Sequence, residues 1–179
     1  MKTYTLKVAG LTRELPIIKI TPELSIASFV ILGDCEIVVN AAPLIAGKLP
    51  PVDLLITAEA KGIPLVHEIA RLLGHSNYIV ARKTLKPYMH NPLIVEVNSI
   101  TTQKVQTLCL DEKDVKAISG KRVAIIDDVI STGESIKAVE QLVGKAGGFL
   151  AAKAAILAEG DAAKCKDIIF LEELPLFKD

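Results

Sequence analysis

The sequence lacks tryptophan altogether and carries only four phenylalanines and three tyrosines in 179 residues, so its packing falls to aliphatic side chains. Its three cysteines, Cys35, Cys109 and Cys165, are too few and too scattered for a disulfide framework, and none forms a CxxC pair. They are expected as small core hydrophobes in a reduced chain. Neither sign of charge dominates: Lys+Arg and Asp+Glu both number 21. That balance removes the electrostatic case for binding nucleic acid or a membrane surface, while leaving room for a local anion site. No apolar run approaches the ~20 residues that span a bilayer, and Met1-Lys2-Thr3-Tyr4-Thr5 lacks the apolar stretch of a signal peptide. The expectation is a cytoplasmic protein with neither membrane nor nucleic-acid partner. No internal repeat or low-complexity tract interrupts the chain, whose length suits one domain over 1–179.

What is abundant is aliphatic residue, and its spacing carries the fold. Asp53 to Ala58 is a short, nearly continuous apolar run, the pattern of a strand covered on both faces. After Gly62, the residues Ile63, Val66, Ile69, Ala70 and Leu73 follow helical spacing, and Gly74 supplies a stop. Tyr78 to Ala81 is the next strand, completing a βαβ unit with a right-handed crossover. The pattern recurs with a strand at Val123 to Ile126 and a helix faced by Ile136, Val139, Leu142, Val143 and Ala146. Gly147-Gly148 ends that helix before a strand from Phe149 to Ala158. Such alternation predicts an α/β protein with a doubly wound, mostly parallel sheet. Residues 1–40 stand apart as a β-rich cap broken by Leu15-Pro16 and Thr21-Pro22. Residues 84–110 read as a long hairpin projecting between core strands, and so long an excursion is more often functional than not.

The segment Val123 to Ser135 carries the chemistry. A buried strand ends in the adjacent carboxylates Asp127 and Asp128, and a short loop, Ser131-Thr132-Gly133, then opens a helix. Ligands of open α/β sheets sit at the carboxyl ends of strands. Free N–H groups and the positive end of the helix dipole favour a phosphate there. Gly133 permits close approach of the backbone, and Ser131, Thr132 and Ser135 add hydroxyls. The acids repel a phosphate and need another partner, either sugar hydroxyls or a hydrated cation. A ribose 5-phosphate satisfies both halves. The alternative is that the two acids merely cap the helix.

The same segment resembles the 5-phosphoribosyl-1-pyrophosphate (PRPP) signature of type I phosphoribosyltransferases, a hydrophobic strand followed by Asp-Asp or Glu-Asp and then x-x-x-Thr-Gly. Resemblance to the purine members, adenine and xanthine enzymes, extends along most of the chain, with only the first ~50 residues aligning poorly. Ala58-Glu59-Ala60-Lys61-Gly62 falls where the family keeps its pyrophosphate loop, and Ala81-Arg82-Lys83 matches the basic pair opening its mobile loop. Phe170 to Leu176 resembles the closing strand of adenine enzymes. Adenine enzymes usually carry Arg where Lys61 stands and Gly-Gly where Gly133-Glu134 stands. They have an acidic residue where Thr101 stands. Xanthine enzymes have a base-contacting Lys where this chain has Gly160.

The resemblance implies displacement of pyrophosphate from C1 of PRPP by a purine nitrogen, giving a nucleoside monophosphate, in a homodimer using Mg²⁺ carried by PRPP. It places Asp127, Asp128 and Thr101 at the chemistry. Ser131, Thr132, Gly133, Glu134 and Ser135 fall on the 5-phosphate, and Glu59, Ala60, Lys61, Arg82 and Lys83 on pyrophosphate. For the basic residues the alternative is solvated surface charge. Adenine leads as the base, with hypoxanthine, guanine and xanthine as alternatives. A relative that only senses PRPP or nucleotides is another reading, although no basic patch or DNA-binding helix pair precedes the fold. A dinucleotide-dependent oxidoreductase fares badly, because no G-x-G-x-x-G follows an early strand.

Overall fold

A computed structural model describes residues 2–98 and 105–178. Its centre is a parallel sheet in the order β10–β9–β8–β4–β5, with β11 also pairing on β9. These strands are β4 (Leu54–Ala58), β5 (Ile79–Ala81), β8 (Arg122–Ile130), β9 (Phe149–Glu159), β10 (Ile168–Ile169) and β11 (Glu172–Leu174). Period-two alternation decides which side chain meets which helix layer. On β8, Val123 and Ile125 pack towards α4 (Glu134–Lys145) and Ile118 of α3 (Glu112–Ile118). Ala124 and Ile126 pack towards α1 (Cys35–Ala46) and α2 (Ile63–Leu72). Both faces are therefore covered, which is why these strands read as continuous apolar runs.

The second sheet is antiparallel, in the order β1–β2–β3–β12. Its members are β1 (Thr3–Val8), β2 (Leu11–Thr21), β3 (Leu24–Ala27) and β12 (Leu176–Lys178). Arg13 on β2 fixes this hood to the core by donating from Nε to Asp34 at 2.8 Å and from Nη2 to Glu36 at 2.7 Å. Asp34 in turn caps α1, accepting the Ile37 N–H at 3.1 Å. That cap satisfies one of the donors every helix start leaves open. A third pairing, β6 (Leu93–Asn98) against β7 (Val105–Leu110), is an antiparallel hairpin whose Val95, Leu108 and Leu110 are buried beside α4.

The structure corrects the sequence reading in three places. The strand begun at Val123 does not stop at Ile126 but runs through Asp127 and Asp128 to Ile130, in register with β9 as far as Ala158. The acid pair therefore rides on a hydrogen-bonded strand. The β-rich cap gives way within residues 1–40 to α1, which starts at Cys35. Of the three cysteines only Cys109 is buried; Cys35 and Cys165 are exposed. Thr101 lies outside the described residues.

Candidate active site

Three chemically suggestive segments end at the same edge of the parallel sheet, because parallel strands all deliver their carboxyl ends to one side. The loop 59–62 leaves β4, Arg82-Lys83 leaves β5, and the loop 131–133 leaves β8 for α4. Between them lies a cavity of about 210 Å³. Its walls include Glu59, Ala60 and Lys61, together with Lys83, Asp127, Asp128 and Ser135. A smaller hollow of about 60 Å³ is formed by Asp127 and the stretch from Val129 to Ile136. Asp127 and Ser135 belong to both, so the two spaces are neighbours.

Backbone conformation builds this proximity. Gly62 presses the first loop onto β8: a Cβ there would collide with the Thr57 hydroxyl and stand 3.1 Å from the Ile126 carbonyl and 3.3 Å from Asp127 Cα. Gly133 adopts φ +76°, a left-handed turn that glycine enters freely, and starts α4 with no side-chain cap. The first-turn N–H groups of α4 thus remain available at the smaller hollow, and Ser131 and Thr132 are exposed beside them.

Electrostatically the acid pair is held under stress. Asp128 is buried, and its Oδ2 has no hydrogen-bond partner. Asp127 accepts the Asp128 N–H at 2.9 Å. Burial first, and the neighbouring Asp128 charge second, push the Asp127 carboxyl well above the usual carboxylate range, with Lys61 opposing the shift. Such a pair wants hydrogen-bond donors or a cation in front of it. Among the described residues no group of three or more His, Cys, Asp or Glu is placed to hold a metal ion. Two carboxylates alone fit an ion that brings most of its own ligands.

The basic residues divide. Lys61 and Lys83 line the larger cavity. Arg82 does not; its guanidinium turns to Glu59, with Nη2 3.4 Å from Oε1. Glu59 itself faces inward and accepts the Lys83 N–H at 3.0 Å. Ala60 and the acid pair line the larger cavity and Ser131 to Ser135 the neighbouring hollow, with Glu59 committed to neighbouring protein groups. One residue escaped the sequence reading: Glu159, half-buried where β9 ends, has its carboxyl raised by burial and lowered by Lys61. An acid directly after the apolar run Ala154 to Ala158 was the available signal, the same one that exposed Asp127.

Comparison with known proteins agrees with this geometry. Residues 51–171 match the phosphoribosyl transferase domain family. The adenine phosphoribosyltransferase of Streptococcus thermophilus is 29% identical over 66% of this chain and 64% of its own length. The hypoxanthine/guanine phosphoribosyltransferase of a Methanocaldococcus species is 34% identical over 66% of this chain and 56% of its own. The chain thus spans less than two thirds of the length of these relatives. Among solved structures, adenine phosphoribosyltransferase from Thermoanaerobacter pseudethanolicus superposes with a TM-score of 0.70 at 22% identity, covering 89% of this chain and 95% of that one. With the matched residues including all those that line the cavity, the chain belongs to the phosphoribosyltransferase family, and the relatives it matches are purine enzymes.

Proposed function

We propose that this protein transfers the 5-phosphoribosyl group of PRPP to a purine base, releasing pyrophosphate. The carrying observation is the Asp127–Asp128 pair, Asp128 buried and Asp127 half-buried beside it, mutually repelling and short of a partner at Asp128 Oδ2, set between a cationic cavity and a helix-start hollow. Vicinal ribose hydroxyls donate to both carboxylates and relieve that stress. As the C1–oxygen bond to pyrophosphate breaks, positive charge develops on the sugar, and the same carboxylates stabilise it. Ser131 to Ser135 hold the 5-phosphate, while Lys61 and Lys83 face the departing pyrophosphate. Mg²⁺ carried by PRPP would neutralise pyrophosphate charge, with Asp127 and Asp128 as the carboxylates that could hold it. Thr101 stays in the catalytic set on its resemblance alone. Exposed Val39, Leu44 and Leu72 on α1 and α2 offer apolar surface for a homodimer, and the cytoplasm is the compartment of this reading.

Adenine is the base we assign. Gly160 has φ +59°, and a Cβ there would lie 2.7 Å from Leu176 Cδ1, so a lysine in its place strains the backbone and displaces the Leu176 side chain. The charge at that strand end is the carboxyl of Glu159, which suits a base that donates an amino group. Xanthine, partly anionic and rich in acceptors, gains nothing there. Calorimetry with PRPP and Mg²⁺ tests the ligand, and kcat/KM for adenine, hypoxanthine, guanine and xanthine in parallel tests the base. Absence of PRPP binding at millimolar concentration refutes the proposal. Binding without turnover on any of the four bases replaces it with a sensing role, and a preference for xanthine refutes the inference from Gly160.

A further inference from the structure

Glu59 presents a contradiction that the proposed reaction does not use. It lines the cavity assigned above to pyrophosphate, yet it is an anion. Its contacts explain what keeps it there. The Glu59 N–H donates to the Ala81 carbonyl at 2.9 Å, Oε2 accepts the Lys83 N–H at 3.0 Å, and Oε1 lies 3.4 Å from Arg82 Nη2. One residue therefore fastens the loop after β4 to the basic pair after β5. Arg82 is held in turn from the other side. Its backbone exchanges two hydrogen bonds with Cys109, at 2.9 and 2.8 Å, where the β6–β7 hairpin joins the core. Its Nε is buried without a partner. The guanidinium is thus held behind the cavity-lining Glu59 and already occupied, with one donor still unsatisfied.

We infer that Glu59 is the resident counter-anion of Arg82 and a positioning residue: it sets the basic pair in place at the expense of pyrophosphate affinity. This inference rests on the functional reading above. Pyrophosphate entering beside Lys61 and Lys83 meets the like charge of Glu59 and competes with it for Arg82. When pyrophosphate leaves, Glu59 reclaims the guanidinium, so Arg82 never stands without a counter-anion. A site built this way binds its anionic product loosely and lets it go, which matters where product release limits turnover.

The test is titration calorimetry of pyrophosphate with Mg²⁺ against the wild type, Glu59→Gln, and Glu59→Gln combined with Arg82→Ala. Glutamine keeps an oxygen for the Lys83 N–H and removes only the charge. Loss of one like charge a few ångströms from the ligand is expected to tighten pyrophosphate about tenfold. Ribose 5-phosphate, held at the other hollow, changes by less than about twofold. Adding Arg82→Ala returns pyrophosphate affinity to near the wild-type value, the coupling that a merely structural residue does not produce. In the wild type, ¹⁵N spectra of the Arg82 guanidinium move on addition of pyrophosphate as Glu59 is displaced. Unchanged or weaker pyrophosphate binding in Glu59→Gln overturns the inference, as does a gain that survives Arg82→Ala or a silent Arg82 spectrum. A wild type that binds no pyrophosphate overturns the functional reading, and this one with it.

Discussion

Replacing Asp128 with Asn separates the stability of the site from its chemistry. In the folded protein the Asp127 carboxyl is pushed up to about 8, by burial first and by the Asp128 charge second. Its ordinary value is 3.8. A carboxyl raised on folding contributes stability that is full below its unfolded pKa and lost as pH rises through its folded pKa. The pair therefore weakens the unliganded protein progressively between about pH 4 and pH 8. Each pKa unit corresponds to about 1.4 kcal/mol, but burial remains in the mutant and only the like-charge part is recovered. We expect Asp128→Asn to gain about 1–2 kcal/mol at pH 8–9, raising Tm by roughly 3–6 °C for a chain of this size. At pH 5 the gain shrinks, because Asp127 of the wild type is then protonated. Asp34 and Asp53, held low by Arg13 and Arg122, lose their contributions only in more acid solution, whereas Asp114 and Glu159, raised by burial, titrate alike in wild type and mutant and cancel in the difference. Thermal unfolding from pH 5 to 9, with PRPP binding measured on the same samples, reads both effects. A mutant destabilised equally at every pH, or one that binds PRPP normally, refutes the reasoning.

Other substitutions probe other walls. Gly62→Ala drives a methyl into the Thr57 hydroxyl and crowds the backbone of β8, so urea unfolding should show a loss of about 1–3 kcal/mol. Its activity loss should exceed that of a surface Gly→Ala. Lys83→Ala should weaken PRPP and pyrophosphate at least several-fold more than ribose 5-phosphate in calorimetry, because Lys83 lines the larger cavity and not the smaller hollow. Equal losses for all three ligands would show only a general field. Gly160→Lys forces a side chain into φ +59° and against Leu176, so it should lower Tm by several degrees without creating xanthine turnover.

The parts of the fold legible in the sequence were those where local pattern and tertiary environment agree. The apolar runs of β4, β8 and β9 and the helical spacing of α2 and α4 are of this kind. Three features depended on distant residues. Asp127 and Asp128 would end a strand on local preference, but β9 continues beside them and keeps the ladder going to Ile130. α1 contains Val38-Val39, Asn40 and an internal Pro43, a poor helical sequence. It is held as a helix by the Asp34 cap and by burying Ile37, Val38, Ala41, Ala42 and Ile45. Glu59 was grouped with the pyrophosphate contacts because its place in the loop is visible in sequence, whereas Arg82 and the Lys83 N–H opposite it are not.

The pairing of β12 with β3 bears on the order in which this molecule assembles. Leu176 sits opposite Ile26, and Phe177 meets the Tyr4 ring edge-on, so the hood closes over nearly the whole length of the chain. The cost of closure rises only logarithmically with length, roughly 0.6 kcal/mol per doubling, so stability suffers little. Kinetics suffer more, since contacts of high sequence separation form late. During synthesis β1 to β3 emerge first and must wait, with one strand edge open, until the remainder of the chain has been made. Leu176 is also the residue that closes over Gly160. The contact of Leu176 with Gly160 is thus expected to be the last to arrive, after the phosphate hollow and the acid pair have formed.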